Sequence, residues 1–438
     1  MSHVRRTAVP FMLLVLSACS PSSDPDVVVD ATTFLETPSA AAASDLAEQM
    51  VRSGDLRWVP WLLDLHRLAV SKVVDTTVAE GSAELSGIDH VDSRLTDFQV
   101  YGQWAQTEEI DPGVGYREWK LELYSRIDDE YRTLLDQIPD DLLLSQVHWG
   151  GAPRGGIPEL NQQERVPASD ADWMVPEEVV FGVEIDGESV AYPVRILGHH
   201  ELANDVVAGR PVALVYCTLC KTALLFDSTV DGQVLEFETS GLLWSSNKVV
   251  VDRETDTLWQ HLSGEAIGGE LSGTRLEQLP VITTTWGEWL AEHPDTETLT
   301  LPGATFSPDI PDRPALRYDY SPGAAYASYY ENESVWFPIL ETSDALALKT
   351  EVIGLSDGDQ HLAVPLDELV AAGPQEIEVG NVRFRLEPTS VGVRAFDDSG
   401  DPIPVSQSFW FAWYGQHPDT EIWQAPLTSC QPVSPRNF

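Results

Sequence analysis

The chain has 438 residues, 43% of them hydrophobic, with 14 Trp, so it carries material for a large core and is not disordered overall. Its 70 acidic residues against 26 basic give a formal net charge of −44. That balance sets nucleic acid aside as a partner, because phosphate binding needs basic patches. The length suggests two or three domains.

The N-terminus reads as an export signal. Arg5-Arg6 precede a short apolar stretch, Val9 to Leu16, and Leu16-Ser17-Ala18-Cys19 places small residues before a cysteine. This resembles a bacterial lipobox, so residues 1–19 are expected to be a lipoprotein signal peptide and Cys19 the lipidated residue. An ordinary secretory signal with an incidental Cys is the alternative. Residues 20–43, rich in Ser, Pro, Ala and Thr, are expected to be a flexible tether. Together these imply an exported protein, attached to the bacterial cell envelope and membrane through a lipid on Cys19, facing the periplasm or the exterior.

Residues 44–149 are expected to form a helical accessory region. Apolar residues near helical spacing run through Leu56 to Val70 and through Trp119 to Leu135. No catalytic motif appears there, and His66, His90 and His148 are read as surface or packing residues. The Gly/Pro-rich segment Gly150 to Pro158 marks a boundary, after which short β-like runs and turns take over. One example is Val179 to Ile185, an Asp186-Gly187 turn, and Ser189 to Tyr192, a strong hairpin signal.

Internal similarity follows. Val180-Phe-Gly182 through Ala191, Pro193 and Leu197 recurs as Val352-Ile-Gly354 through Ala363, Pro365 and Leu369 without a gap. Leu225-Phe226-Asp227 has a counterpart in Ala395-Phe396-Asp397, and Trp-x-x-x-His-Pro-Asp-Thr-Glu occurs at Trp289 and again at Trp413. The fold expected is therefore α+β, mainly β: the helical region followed by a β-rich body of two similar halves. The first repeat would span 150–310 and the second 311–438. Only the first holds Cys217 and Cys220, at the end of the apolar run Val212 to Tyr216, and the paired histidines His199-His200. The repeated Trp-x-x-x-His is read as structural.

Tyr216-Cys-Thr-Leu-Cys220, Ala191 to Leu197, His200-Glu201 with Asn204-Asp205, and Ser240 to Leu243 resemble a bacterial family known only as a domain of unknown function, DUF 3179. Asn247, Asp252-Arg253, Leu258-Trp259, Gly264 to Ala266 and Thr284 to Trp286 follow the same pattern, over roughly 150–430. The family pattern usually has Gly where this chain has Lys221, and Trp where it has His199. The resemblance implies a shared site, with Asn204, Asp205, Asn247, Asp252, Arg253 and Trp259 in support, but no reaction.

Three readings of that site stand. Two thiols and an imidazole suit copper or zinc, held by Cys217, Cys220 and His200, with His199 or Glu201 as a fourth ligand and His261 or Cys430 as outside candidates. The implied role is metal handling or metal-dependent chemistry. Alternatively, Cys217 and Cys220 form a thiol–disulfide redox pair, with Lys221 favouring a thiolate, although no thioredoxin-like βαβ unit accompanies them. The third is a structural disulfide in a non-catalytic binding or scaffold lipoprotein; so tight a loop gains only about 2 kcal/mol or less. Whether the chain is an enzyme is left open. No Gly-x-Ser-x-Gly elbow, phosphate-cradling loop or His-Glu-x-x-His motif is present.

Overall fold

A computed structural model of the protein describes residues 29–425 apart from 37, 69–71, 89–95, 303–304 and 307–315. Cys19, Cys430, His90 and the signal-peptide stretch lie outside the described residues. The molecule is mainly β, with helices gathered at its N-terminal side.

Helices fill the region expected to be helical, from Ala40–Ser53 to Asp141–Gln146. A further short helix, Ala31–Glu36, falls inside the stretch expected as a tether, where Ala31 joins the core and Ser39 caps the next helix by accepting from the Ala42 N–H. Thr96 and Gln99 form a capping box at the start of Asp97–Thr107. Aromatic packing holds the bundle: Trp61 lies 4.9 Å from Trp58 and 4.7 Å from Trp119, ring centre to centre. At its centre Lys120 Nζ meets Asp64 at 3.2 Å, both side chains wholly buried, and the Tyr116 and Tyr124 hydroxyls donate to the same carboxylate. His148 is buried against Phe98, a packing residue as its context suggests.

The β body is layered around the strand Arg210–Cys217. It lies in a five-stranded sheet between Leu202–Val207 and Thr222–Asp227, both antiparallel to it. Because side chains alternate across a strand, Val212, Leu214 and Tyr216 pack one face against Phe181, Val183 and Tyr192. Ala213 and Val215 pack the other against Phe237, Val250 and Trp259. A strand covered on both faces needs a continuous apolar run, and this one has it.

Two hairpins share one register. Val179–Ile185 pairs with Glu188–Pro193 so that Gly182 faces Ala191; Glu351–Asp357 pairs with Gln360–Pro365 so that Gly354 faces Ala363. Each is flanked by an antiparallel strand (Ile282–Thr285 or Ser406–Phe409) and a parallel one (Glu297–Leu299 or Glu421–Ile422). A tryptophan covers each glycine, Trp289 over Gly182 and Trp413 over Gly354, and donates through Nε1 to Thr296 or Thr420 at 3.0 Å. Two hydrogen bonds between the parts have their donors in the second. Phe409 N–H donates to Cys220 O at 2.9 Å, and Thr389 Oγ1 donates to Thr283 O at 2.9 Å.

Candidate functional site

Strand alternation aims Cys217 at the face already used by Ala213 and Val215, toward the antiparallel pair Phe237–Trp244 and Asn247–Asp252. The chain turns at once, with Cys217 opposite Thr222, and Lys221 takes the left-handed φ of +54° that lets the loop return. Thr222 Oγ1 braces the loop by donating to Cys220 O at 3.2 Å. Cys217 and Cys220 are 1% and 0% exposed and are not bonded to each other; both belong to the core shared with the helical region.

Asn247 and His261 meet the two thiols. Asn247 Nδ2 donates to Cys220 Sγ at 3.3 Å and lies 3.4 Å from His261 Nδ1, while its Oδ1 accepts from the Leu262 N–H. His261 Nε2 sits 3.0 Å from Val215 O; a carbonyl only accepts, so Nε2 carries a hydrogen and Nδ1 faces the Asn247 side. The single Cys220 proton has two acceptors, the Ser246 carbonyl at 3.3 Å and Cys217 Sγ. Ser245 and Ser246 turn that neighbouring hairpin with φ of 50° and 62°, a left-handed pair where glycine or asparagine is usual.

Electrostatics separates the sulfurs. Burial alone raises the Cys217 pKa, but the Cys220 thiol, the neighbouring His261 ring and the Cys220 backbone N–H overcome it and hold Cys217 well below an ordinary thiol. Cys220 moves the opposite way: burial raises it, and so do the hydrogen bond to Cys217 and its charge, against a smaller lowering by Asn247. Of the two sulfurs, Cys217 therefore gives up its proton more readily and Cys220 holds its own.

A second buried group lies next to Cys217. Lys248 Nζ pairs with Glu201 Oε2, with side chains 7% and 6% exposed, and Glu201 Oε1 accepts from Thr218 Oγ1 and Tyr326 OH, each at 3.0 Å. Glu201 holds φ 59° as the cap of the helix Val194–His200, and this left-handed turn swings its carboxylate toward Thr218. Glu201, Lys248, Cys217, Thr218 and Tyr326 line one cavity of about 60 Å³.

The other sequence candidates lie apart from the thiols. His200 is fully buried, with Nδ1 2.7 Å from Pro158 O and Nε2 2.7 Å from Tyr320 OH; burial, against the Pro158 bond, takes its pKa to about 4. His199 Nε2 lies 2.8 Å from Asp319 O. The set Cys217, Cys220 and His200 is therefore not assembled at one point, and among the described residues no group of three or more His, Cys, Asp or Glu is arranged to hold a metal. Asn204 bonds both backbone groups of Phe237, stitching two sheets together. Asp205 accepts from Tyr192 OH, Asp252 accepts from Trp259 Nε1, and Arg253 pairs with Glu159, Glu236 and Glu238. These residues brace the frame; of the supporting set, Asn247 alone reaches the sulfurs.

Residues beyond the main candidates complete the site. His261, an outside candidate by sequence, lies at the thiols, and Lys248, which carries no sequence motif, lies beside them. The tyrosine segment near the helix Ala327–Tyr330 joins them: Tyr329 OH donates to Leu219 O at 3.0 Å and Tyr330 OH to Thr218 O at 2.8 Å, clasping the loop between the cysteines. The tyrosine clustering in Tyr318 to Tyr330 was the available signal.

A family model described as a protein of unknown function (DUF3179) matches residues 154–398, more than half of the chain. No curated protein and no solved structure matches.

Proposed function

The chain belongs to the DUF3179 family, whose description assigns no activity, and from the site we propose that it is a thiol–disulfide redox protein. Cys217 is the reacting thiolate and Cys220 the thiol that closes the disulfide. The observation that carries this is the hydrogen-bonded dithiol itself: two unbonded cysteines in one turn, with His261 at one sulfur and Asn247 at the other. A thiolate is the nucleophile in disulfide chemistry, and a protonated neighbour ready to displace the first product makes the exchange intramolecular.

The test is equilibration of the full-length protein in dithiothreitol buffers of graded potential, with free thiols counted after denaturation. One reversible two-electron step, absent in Cys217→Ser and Cys220→Ser, is expected. Thiols that stay reduced across the range would overturn the proposal. Metal is measured on the same samples, because two buried sulfurs beside His261 also offer soft donors for copper(I). Near-stoichiometric copper or zinc that blocks the redox step would favour metal handling instead.

Two further parts belong to this proposal. Export and anchoring through a lipid on Cys19 would put the dithiol in an oxidising compartment; mass spectrometry of the mature N-terminus tests this, and an unmodified Cys19 would refute it. The body is a duplication whose second half lost the thiols, supported by the shared Gly–Ala register and the Trp–Thr bonds of the two hairpins.

A further inference from the structure

We propose that the oxidant of Cys217 is a small peroxide, admitted to the cavity beside that sulfur; this rests on the redox reading above. Both sulfurs are buried, so a disulfide reagent, dithiothreitol included, exchanges with them only at the rate at which the fold opens, whereas a small oxidant need not wait for that. Cys217 lines a cavity of about 60 Å³ and Cys220 does not, so a small reagent meets Cys217 first. One water takes up about 30 Å³ of the liquid. The space therefore suits a reagent of a few heavy atoms and excludes one the size of oxidised glutathione. Three larger cavities among the described residues, of about 480, 400 and 500 Å³, have neither cysteine in their walls. Gly150, Ala152 and Ile157 form the cavity's half-buried outer wall, while Cys217, Thr218, Glu201 and Lys248 form its buried inner wall.

The wall chemistry fits this substrate. The peroxide bond breaks with negative charge building on the departing oxygen, and Lys248, whose ammonium has hydrogens beyond the one on Glu201, supplies a cation and a donor there, while the Thr218 and Tyr326 hydroxyls stay on Glu201. In the first step Cys217 Sγ attacks one oxygen, the O–O bond breaks, and the leaving hydroxide takes a proton from the Lys248 ammonium to become water. The products are water and a sulfenic acid on Cys217; Lys248 recovers its proton from solvent. In the second step Cys220 Sγ attacks Cys217 Sγ, the S–O bond breaks, and the departing hydroxide carries off the Cys220 proton as water. Two thiols lose two electrons and one peroxide gains them.

The full-length protein, reduced and freed of reductant, is mixed with hydrogen peroxide, cumene hydroperoxide or oxidised glutathione. Thiol loss is followed, and each rate is divided by that of free cysteine with the same reagent at the same pH. We expect the normalised rate with hydrogen peroxide to exceed the other two at least tenfold. After the peroxide reaction, unfolding in denaturant that contains dimedone should label residue 217 in Cys220→Ser and leave Cys217→Ser unlabelled. Leu243→Ala, which widens the cavity away from the reacting groups, should raise the cumene hydroperoxide rate at least threefold. If either bulky reagent matches or outruns hydrogen peroxide in the wild type, the inference falls and the redox reading stands. If the dithiothreitol series forms the disulfide but none of these oxidants does, the inference again falls alone. If no reagent, dithiothreitol included, yields the disulfide, both fall.

Discussion

Replacing Lys248 with methionine leaves the Glu201 carboxylate buried without its cation. Removing one partner of a buried pair costs about 3–5 kcal/mol, because the remaining charge is stranded. Glu201 keeps two hydroxyl donors, Thr218 and Tyr326, each at 3.0 Å. Bonds to a charged group contribute about 1.5–3 kcal/mol apiece, which places Lys248→Met at the lower end, about 3 kcal/mol. Glu201→Gln strands the ammonium instead and should cost about the same. The double variant leaves no buried charge, and glutamine can still accept from Thr218 and Tyr326, so its cost should be only about 1 kcal/mol. The assay is urea unfolding of all four reduced proteins at neutral pH, followed by tryptophan fluorescence. A double variant destabilised by the sum of the singles, about 6 kcal/mol, would show that the two charges do not interact, and the argument would fail.

Two other outcomes follow from the structure. His200 drops from 6.5 to about 4 on folding, so it is neutral in the native state and binds a proton more readily when unfolded. Its contribution is full above pH 6.5 and is lost as pH falls toward 4, a range corresponding to roughly 3 kcal/mol; His200→Gln should flatten the stability–pH slope in that window by about one proton, and an unchanged slope would contradict the burial described. Alanine at Gly182 would set its Cβ 2.4 Å from the Trp289 ring, and at Gly354 2.1 Å from that of Trp413. Overpacking of this kind costs about 1–3 kcal/mol, so both variants should lose stability in urea; if either stays within about 0.5 kcal/mol of wild type, the glycine–tryptophan contact is wrong.

The parts of the fold legible in the sequence were those carried by local pattern. Alternation, the Asp186-Gly187 turn and the helical spacing before Gly150 place strands and helices where the structure has them. The Gly, Ala and Pro anchors fall at one register in both hairpins. Cys217 and Cys220 were legible because an apolar strand has to stop somewhere, and it stops on a thiol. What encloses them was not legible. His261 is brought in by sheet pairing, through a strand far along the chain, whereas His200 looked closer because it precedes the thiols by a shorter stretch of chain. The helix Val194–His200 instead carries its ring to Pro158 and Tyr320. Lys248 reads as an ordinary strand lysine until Glu201 takes a left-handed turn toward it, and backbone sign is not written in residue type.

The bond from Phe409 N–H to Cys220 O has a genetic consequence. A stop codon or protease cut upstream of position 409 would strip a main-chain donor from the thiol loop nearly two hundred residues before it, with both sulfurs still present. The duty at that position is carried by the main chain, so nineteen residues can supply the donor and only proline deletes it. Under the proposed dithiol chemistry, a proline at 409 should therefore inactivate from a strand that contributes no sulfur.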